Sequence, residues 1–269
     1  MTSYVETPFG PAVEEIPLPG TPLVLALAQV RFPQIISIET NEAFIASFQE
    51  LIREEYPILN QVEESAVLIG AEGPVQRERH RVWRFSQPKD GWQVALTKDF
   101  IALTSHEYTS RGDFLSRLRR LLVALDDTIG PKVCTRLGIR YVDRLTDDGK
   151  LASIDRLVNE PIRGAARVGL GEPSVEELHA LSDHLYRLHD ESALHARWGF
   201  VPPGATFDPG IEPADSASWV LDLDAYSTEP VEWSPETLVE RSRIFCERIY
   251  RYFRWAVTDD FLIEHGGKL

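Results

Sequence analysis

The chain has 269 residues, 43% of them hydrophobic, and a formal net charge of −14. That apolar content is too high for a disordered chain, and the excess of carboxylates repels the phosphates of nucleic acid and of an anionic membrane surface, so neither is expected as a partner. No stretch approaches 18 consecutive apolar residues, so no membrane span is expected, and Met1–Glu6 lacks the basic flank and apolar run of a signal peptide. The two cysteines, Cys134 and Cys246, are too few for a disulfide framework and read as buried thiols in a reducing cytoplasm.

Residues 1–22 carry five prolines and little periodicity, which predicts an extended arm. A strand follows over Leu23–Phe32. Asn41 is placed to cap a helix whose apolar stripe runs through Phe44, Ile45, Phe48, Leu51 and Ile52 to Tyr56, before Pro57. Past a mixed segment, Val82–Ser86 and Trp92–Lys98 flank Asp90-Gly91, a hairpin turn signal. Phe100–Tyr108 reads as another strand. From Ser110 or Arg111, Phe114, Leu118, Leu121, Leu122 and Leu125 form a second helical stripe that ends at Gly130-Pro131.

Residues 136–145 then alternate as a strand, with Leu137, Ile139 and Tyr141 on one face and Arg136, Arg140, Val142 and Arg144 on the other. A short helix is expected near Leu151–Val158 and a loop over 160–175. For 178–189 and 193–201 the simplest reading is a hairpin around Asp190-Glu191-Ser192; a helix capped by Ser174 and Glu177 is the rival. After a loop from Pro202 to Ser216, Trp219–Tyr226 reads as a strand. Ser234-Pro235-Glu236 starts a helix that continues to about Val257.

This order predicts an α+β fold: antiparallel sheet with helices on one face, built as a duplicated β-α-β-β-β-α unit. The expected divisions are an arm (1–22), a first unit (23–145) and a second unit (146–269), together one compact domain.

Several short motifs in this order are shared with a known group. They are Pro22-Leu23 leading into Gln29-Val30-Arg31-Phe32, Glu54-Glu55-Tyr56-Pro57, Phe85 with Asp90-Gly91, Arg140-Tyr141-Val142-Asp143-Arg144, Leu221-Asp222-Leu223-Asp224, and the aromatic C-terminal helix. With them the chain resembles a sporadically distributed, functionally uncharacterised bacterial family of about this length. The resemblance spans nearly the whole chain, though the proline-rich arm and the histidine-bearing segment 179–195 depart from it. It implies an accessory bacterial protein and carries no activity.

Candidate chemistry centres on charge. Arg140 and Arg144 share a strand face, as do Asp222 and Asp224, and Arg31 of the first strand can join them. If the strands are neighbours these groups form a structural ladder. Otherwise the arginines line a groove for a carboxylate or phosphate. Asp143, on the apolar side beside Tyr141, needs a partner and is the best-placed general base.

His179, His184, His189 and His195 fall within seventeen residues, but their spacing converges on neither a helix nor a strand, so no metal is expected. Gly164–Gly171 lacks the Gly-Lys-Ser/Thr ending of a phosphate loop, and no nucleophile elbow is present, so no cofactor is expected. The mixed charges of Gln76–Arg81 suit a solvated lead-in to an edge strand.

Two function classes remain. One is a non-catalytic cytoplasmic binding protein with a polypeptide partner, or pairing as a homodimer, through exposed aromatic residues or a sheet edge. The other is an enzyme or small-ligand binder that uses the Arg/Asp set on an anionic substrate.

Overall fold

The structure is a computed structural model that describes residues 5–70, 73–89, 91–163, 179–208 and 210–269. Strand β1 (Leu23–Arg31) leads to the short helix α1 (Ser37–Thr40) and to α2 (Glu42–Ile52), whose N-terminus is capped by the Asn41 side chain accepting from Ala43 N–H. The segment that looked mixed holds β2 (Ile58–Gly70) and the first part of β3 (Gly73–Ser86), whose end is the expected strand Val82–Ser86; the two strands run in antiparallel register with Glu63 opposite Arg81. The charged residues ahead of Val82 hid this stretch, because they leave no apolar alternation of the kind that marks a half-buried strand. A turn closed by Gln87 N–H donating to the Trp92 carbonyl leads to β4 (Trp92–Leu96) and then β5 (Phe100–Ser105); Asp90 itself lies outside the described residues.

Helix α3 (Arg111–Thr128) is capped by Ser110 and stops where Gly130 takes a left-handed φ of 64°. Next come β6 (Val133–Cys134) and the arginine-bearing β7 (Arg136–Leu145). The single short helix expected near Leu151 is three: α4 (Asp148–Ala152), α5 (Ile154–Leu157) and α6 (Glu160–Arg163). Residues 164–178 lie outside the described residues, and with them the Gly164–Gly171 segment and the Ser174/Glu177 cap. Over 180–201 the hairpin reading holds, as β8 (Ala180–Arg187) and β9 (Ala193–Val201). The chain closes with β10 (Ser218–Ser227), β11 (Val231–Glu232), α7 (Pro235–Ala256) and α8 (Asp259–Glu264).

The fold is α+β. Nine strands form one large antiparallel sheet in the order β2-β3-β4-β5-β1-β7-β10-β9-β8, with helices packed against it, and β6 pairs separately with β11. The end strands are β2 and β8.

The chain divides into two compact units, neither continuous in sequence. One comprises Leu27–Gly138 and Ser227–Arg243. Its core places Phe48 of α2 edge-on to Phe85 of β3, with centroids 5.5 Å apart, and Phe32 edge-on to Trp233 at 6.0 Å. In the same unit Arg117 of α3 lies 4.4 Å from the Trp92 ring and pairs with both Asp113 and Glu55.

The other unit comprises Met1–Ala26, Ile139–Tyr226 and Ile244–Leu269. Here the arm packs on its own unit. Phe9 meets Tyr186 and Tyr252, the Ile16 N–H donates to Tyr250 Oη at 2.7 Å, and Arg251 holds the Pro11 carbonyl at 2.7 Å. Prolines preset the arm's extended shape, so it gives up little entropy in binding this surface. Arg248 of α7 clasps the β8–β9 turn through Asp190 and Ser192, each at 2.7 Å.

Candidate functional site

Strand alternation puts Asp222 of β10 opposite Arg197 of β9, and the Asp222 side chain is only 2% exposed. A carboxylate buried this deeply must be neutralised. Arg140 of β7 does so with a two-pronged contact, Nε to Oδ1 at 2.8 Å and Nη2 to Oδ2 at 2.9 Å. Arg197 adds Nε and Nη2 contacts to Oδ2 at 3.0 and 2.5 Å.

A second carboxylate, Asp208, arrives from the β9–β10 loop and places Oδ2 at 2.9 Å from Arg140 and 3.4 Å from Arg197. The result is a closed quartet of two arginines and two aspartates. Burial disfavours the Arg140 charge, but hydrogen bonds and charge from Asp222 outweigh it and hold the guanidinium protonated. At Asp208 burial works against ionisation, yet the Gly210 N–H and the Arg140 charge draw the carboxyl below its usual range.

The other expected site residues are dispersed. Arg144 donates to the Glu212 carbonyl at 2.6 Å. Asp224 stands opposite His195, which itself lies 2.7 Å from Asp183. Arg31 is exposed, its side chain bonded to Gln29 and lying 5.7 Å from the Phe100 ring.

Asp143 is on the buried side of β7, only 6% exposed. Burial alone pushes its carboxyl up to about 7, and among the described residues no hydrogen bond or opposite charge acts on it. Nearby on the same face, the Tyr141 hydroxyl bonds the Cys246 sulfur at 3.3 Å.

Sequence reasoning reached Arg140 and Asp222 but missed Arg197 and Asp208. The alternation of His195 and Arg197 along Ala193–Val201 could have pointed to Arg197, since a hairpin with Trp219–Tyr226 places it across from an aspartate. Asp208 gives no such signal, because it reads as an ordinary loop residue. Among the described residues no group of three or more His, Cys, Asp or Glu side chains could hold a metal ion. His184 instead stacks on Trp198 at 4.4 Å. Cys134 and Cys246 are buried free thiols, and burial raises the Cys134 thiol to about 11. No helix among the described residues is long and apolar enough to cross a membrane.

A second feature is the start of β2. Residues 57–63 are all exposed on an end strand, and Ile58, Leu59 and Val62 are 38%, 36% and 39% exposed. Two open hollows adjoin this strand's entrance at Glu54 and Pro57; Gln49 and Arg53 border one, Arg117 and Arg120 the other. Leu51, 56% exposed, lines the second.

Compared with known proteins, the chain matches no family model, no curated protein and no solved structure.

Proposed function

We propose that this chain is a non-catalytic cytoplasmic binding protein, an adaptor, chaperone-like factor or regulatory partner of an accessory bacterial operon, that recognises a polypeptide by adding it as a strand beside β2. The observation that carries the reading is the exposed run Pro57–Val62. Such an edge offers a row of unpaired backbone groups, and proteins blunt it unless it serves pairing. Here three apolar side chains accompany the end strand, Ile58 and Val62 on one face and Leu59 on the other. The neighbouring hollow with Leu51, Arg117 and Arg120 can accept a side chain of the incoming segment.

The pairing of Arg140 and Asp222 supports the same reading, since the two side chains hold each other while Arg144 bonds the Glu212 carbonyl and does not converge with Arg140. A direct test is affinity capture with the wild-type chain and with Leu59→Lys/Val62→Lys. Both changes fall on exposed positions, so the melting temperature should move little. Loss of a stoichiometric polypeptide with the fold unchanged is the expected result. Equal capture by the variant would sink the reading. A β2-to-β2 homodimer is a further outcome, visible as a twofold mass in sedimentation that the same substitutions abolish.

A further inference from the structure

The quartet has three members fixed on neighbouring strands and one that is not. Arg140, Arg197 and Asp222 belong to β7, β9 and β10, and Asp222 faces Arg197 in the strand register. These three alone leave one uncompensated positive charge in a site where the arginine side chains are 14% and 21% exposed. Asp208 supplies the balancing charge from a loop, and its side chain is 21% exposed.

The way Asp208 does this is incomplete. Both arginines reach the same oxygen, Oδ2. Its Oδ1 turns back to accept the Gly210 N–H at 2.8 Å, so the carboxylate divides itself between the arginines and its own turn. Guanidinium groups are matched to an oxyanion that presents two oxygens, and such two-point contacts are the stronger ones. The loop is shaped for presentation. Thr206 Oγ1 donates to the carbonyls of Asp208 and Ile211 at 2.7 and 2.8 Å, and Phe207 lies under the Arg197 guanidinium at 5.1 Å. Side by side, Phe207 and Asp208 thus offer an aromatic ring and a carboxylate to one arginine.

We infer that Arg140 and Arg197 form a carboxylate-receiving site in which Asp208 is a resident, displaceable occupant, and that an external carboxylate binds there by displacing the side chains of Phe207 and Asp208. The inference does not depend on the reading of β2. The chemistry is shared by a free small carboxylate and by an acidic side chain of a polypeptide. The Phe207-Asp208 pair models the second.

Calorimetric titration tests this, with glutarate and the peptide acetyl-Gly-Phe-Asp-Gly-amide as probes and chloride as the control anion. In the wild type a probe binds only the fraction of molecules with Asp208 displaced, and its apparent affinity is reduced by that fraction. If that fraction is roughly 1–10%, Asp208→Ala should bind about 10- to 100-fold more tightly than the wild type. Asp208→Ala/Arg197→Gln should lose the gain. Should Asp208→Ala fail to fold by circular dichroism, Asp208→Asn retains an oxygen for the Gly210 N–H and reads the same quantity. Tighter binding of the peptide assigns the site to a polypeptide, and tighter binding of glutarate assigns it to a free carboxylate; either supports the displacement of Asp208. A folded variant with no gain for either probe overturns it.

Discussion

Replacing Asp222 with alanine should be among the most damaging single changes to the charged face. The side chain is 2% exposed and accepts four contacts, at 2.5–3.0 Å, from Arg140 and Arg197. Its loss leaves two guanidiniums facing one another with only Asp208 between them. Breaking a fully buried pair costs about 3–5 kcal/mol, because the surviving charge stays desolvated. Here the arginines are 14% and 21% exposed, and water can reach them, which places the expected loss near the lower limit, about 3 kcal/mol. In a chain of this size that corresponds to a drop of roughly 6–12 °C in melting temperature.

Urea unfolding of Asp222→Ala, Arg197→Ala and the double variant measures both the loss and the coupling. The pair should couple by more than about 1 kcal/mol. A loss below about 1 kcal/mol, the scale of exposed ion pairs, would refute the view that strand geometry and burial make this cluster structural.

Other consequences follow from single residues. Asp143 holds its proton up to about pH 7, against an ordinary value of 3.8. Between those values the folded chain binds more protons than the unfolded one, so stability is highest below pH 4 with respect to this group and falls as pH rises to 7. The full difference is about 4 kcal/mol. Asp143→Asn should therefore match the wild type near pH 4 and exceed its stability at pH 8; an offset independent of pH would contradict this. Gly199, at φ 144°, would place a Cβ in overlap with the Ala180 carbonyl oxygen. Gly199→Ala should cost at least about 3 kcal/mol and loosen β8, whereas Gly204→Ala, at φ 72° with open space around it, should cost only about 1–2 kcal/mol; equal losses in chemical denaturation would argue against the close strand approach. Both thiols, buried and raised or hydrogen-bonded, should resist a thiol reagent in the native protein and react only on unfolding.

Elements were legible wherever one face is buried. The stripe from Phe114 to Leu125 and the alternation from Leu137 to Tyr141 each reflect a surface packed on a core, and both emerged as expected. Strand β2 and the part of β3 before Val82 were not, because charged residues such as Glu63 and Arg81, opposite one another in the register, leave no apolar period to detect. Of the site, Arg140 and Asp222 were visible as unusual charges on strand faces. Their partners were not. Arg197 depends on a strand register, and Asp208 on the path of a loop, and neither is written in local spacing. Asp143 was recognised as a carboxyl on an apolar face in need of a partner, and burial without a partner among the described residues is what the structure adds.

The most direct test of the proposed function is a photo-crosslinking amino acid at Val62, with one at Leu185 on the opposite end strand as the control, expressed in the native host. Leu185 is 65% exposed, so it reports contact with any sticky protein. One discrete polypeptide adduct is expected from position 62, lost when Leu59→Lys is added, and none from position 185. No adduct at 62, or the same adducts at both positions, would contradict that function.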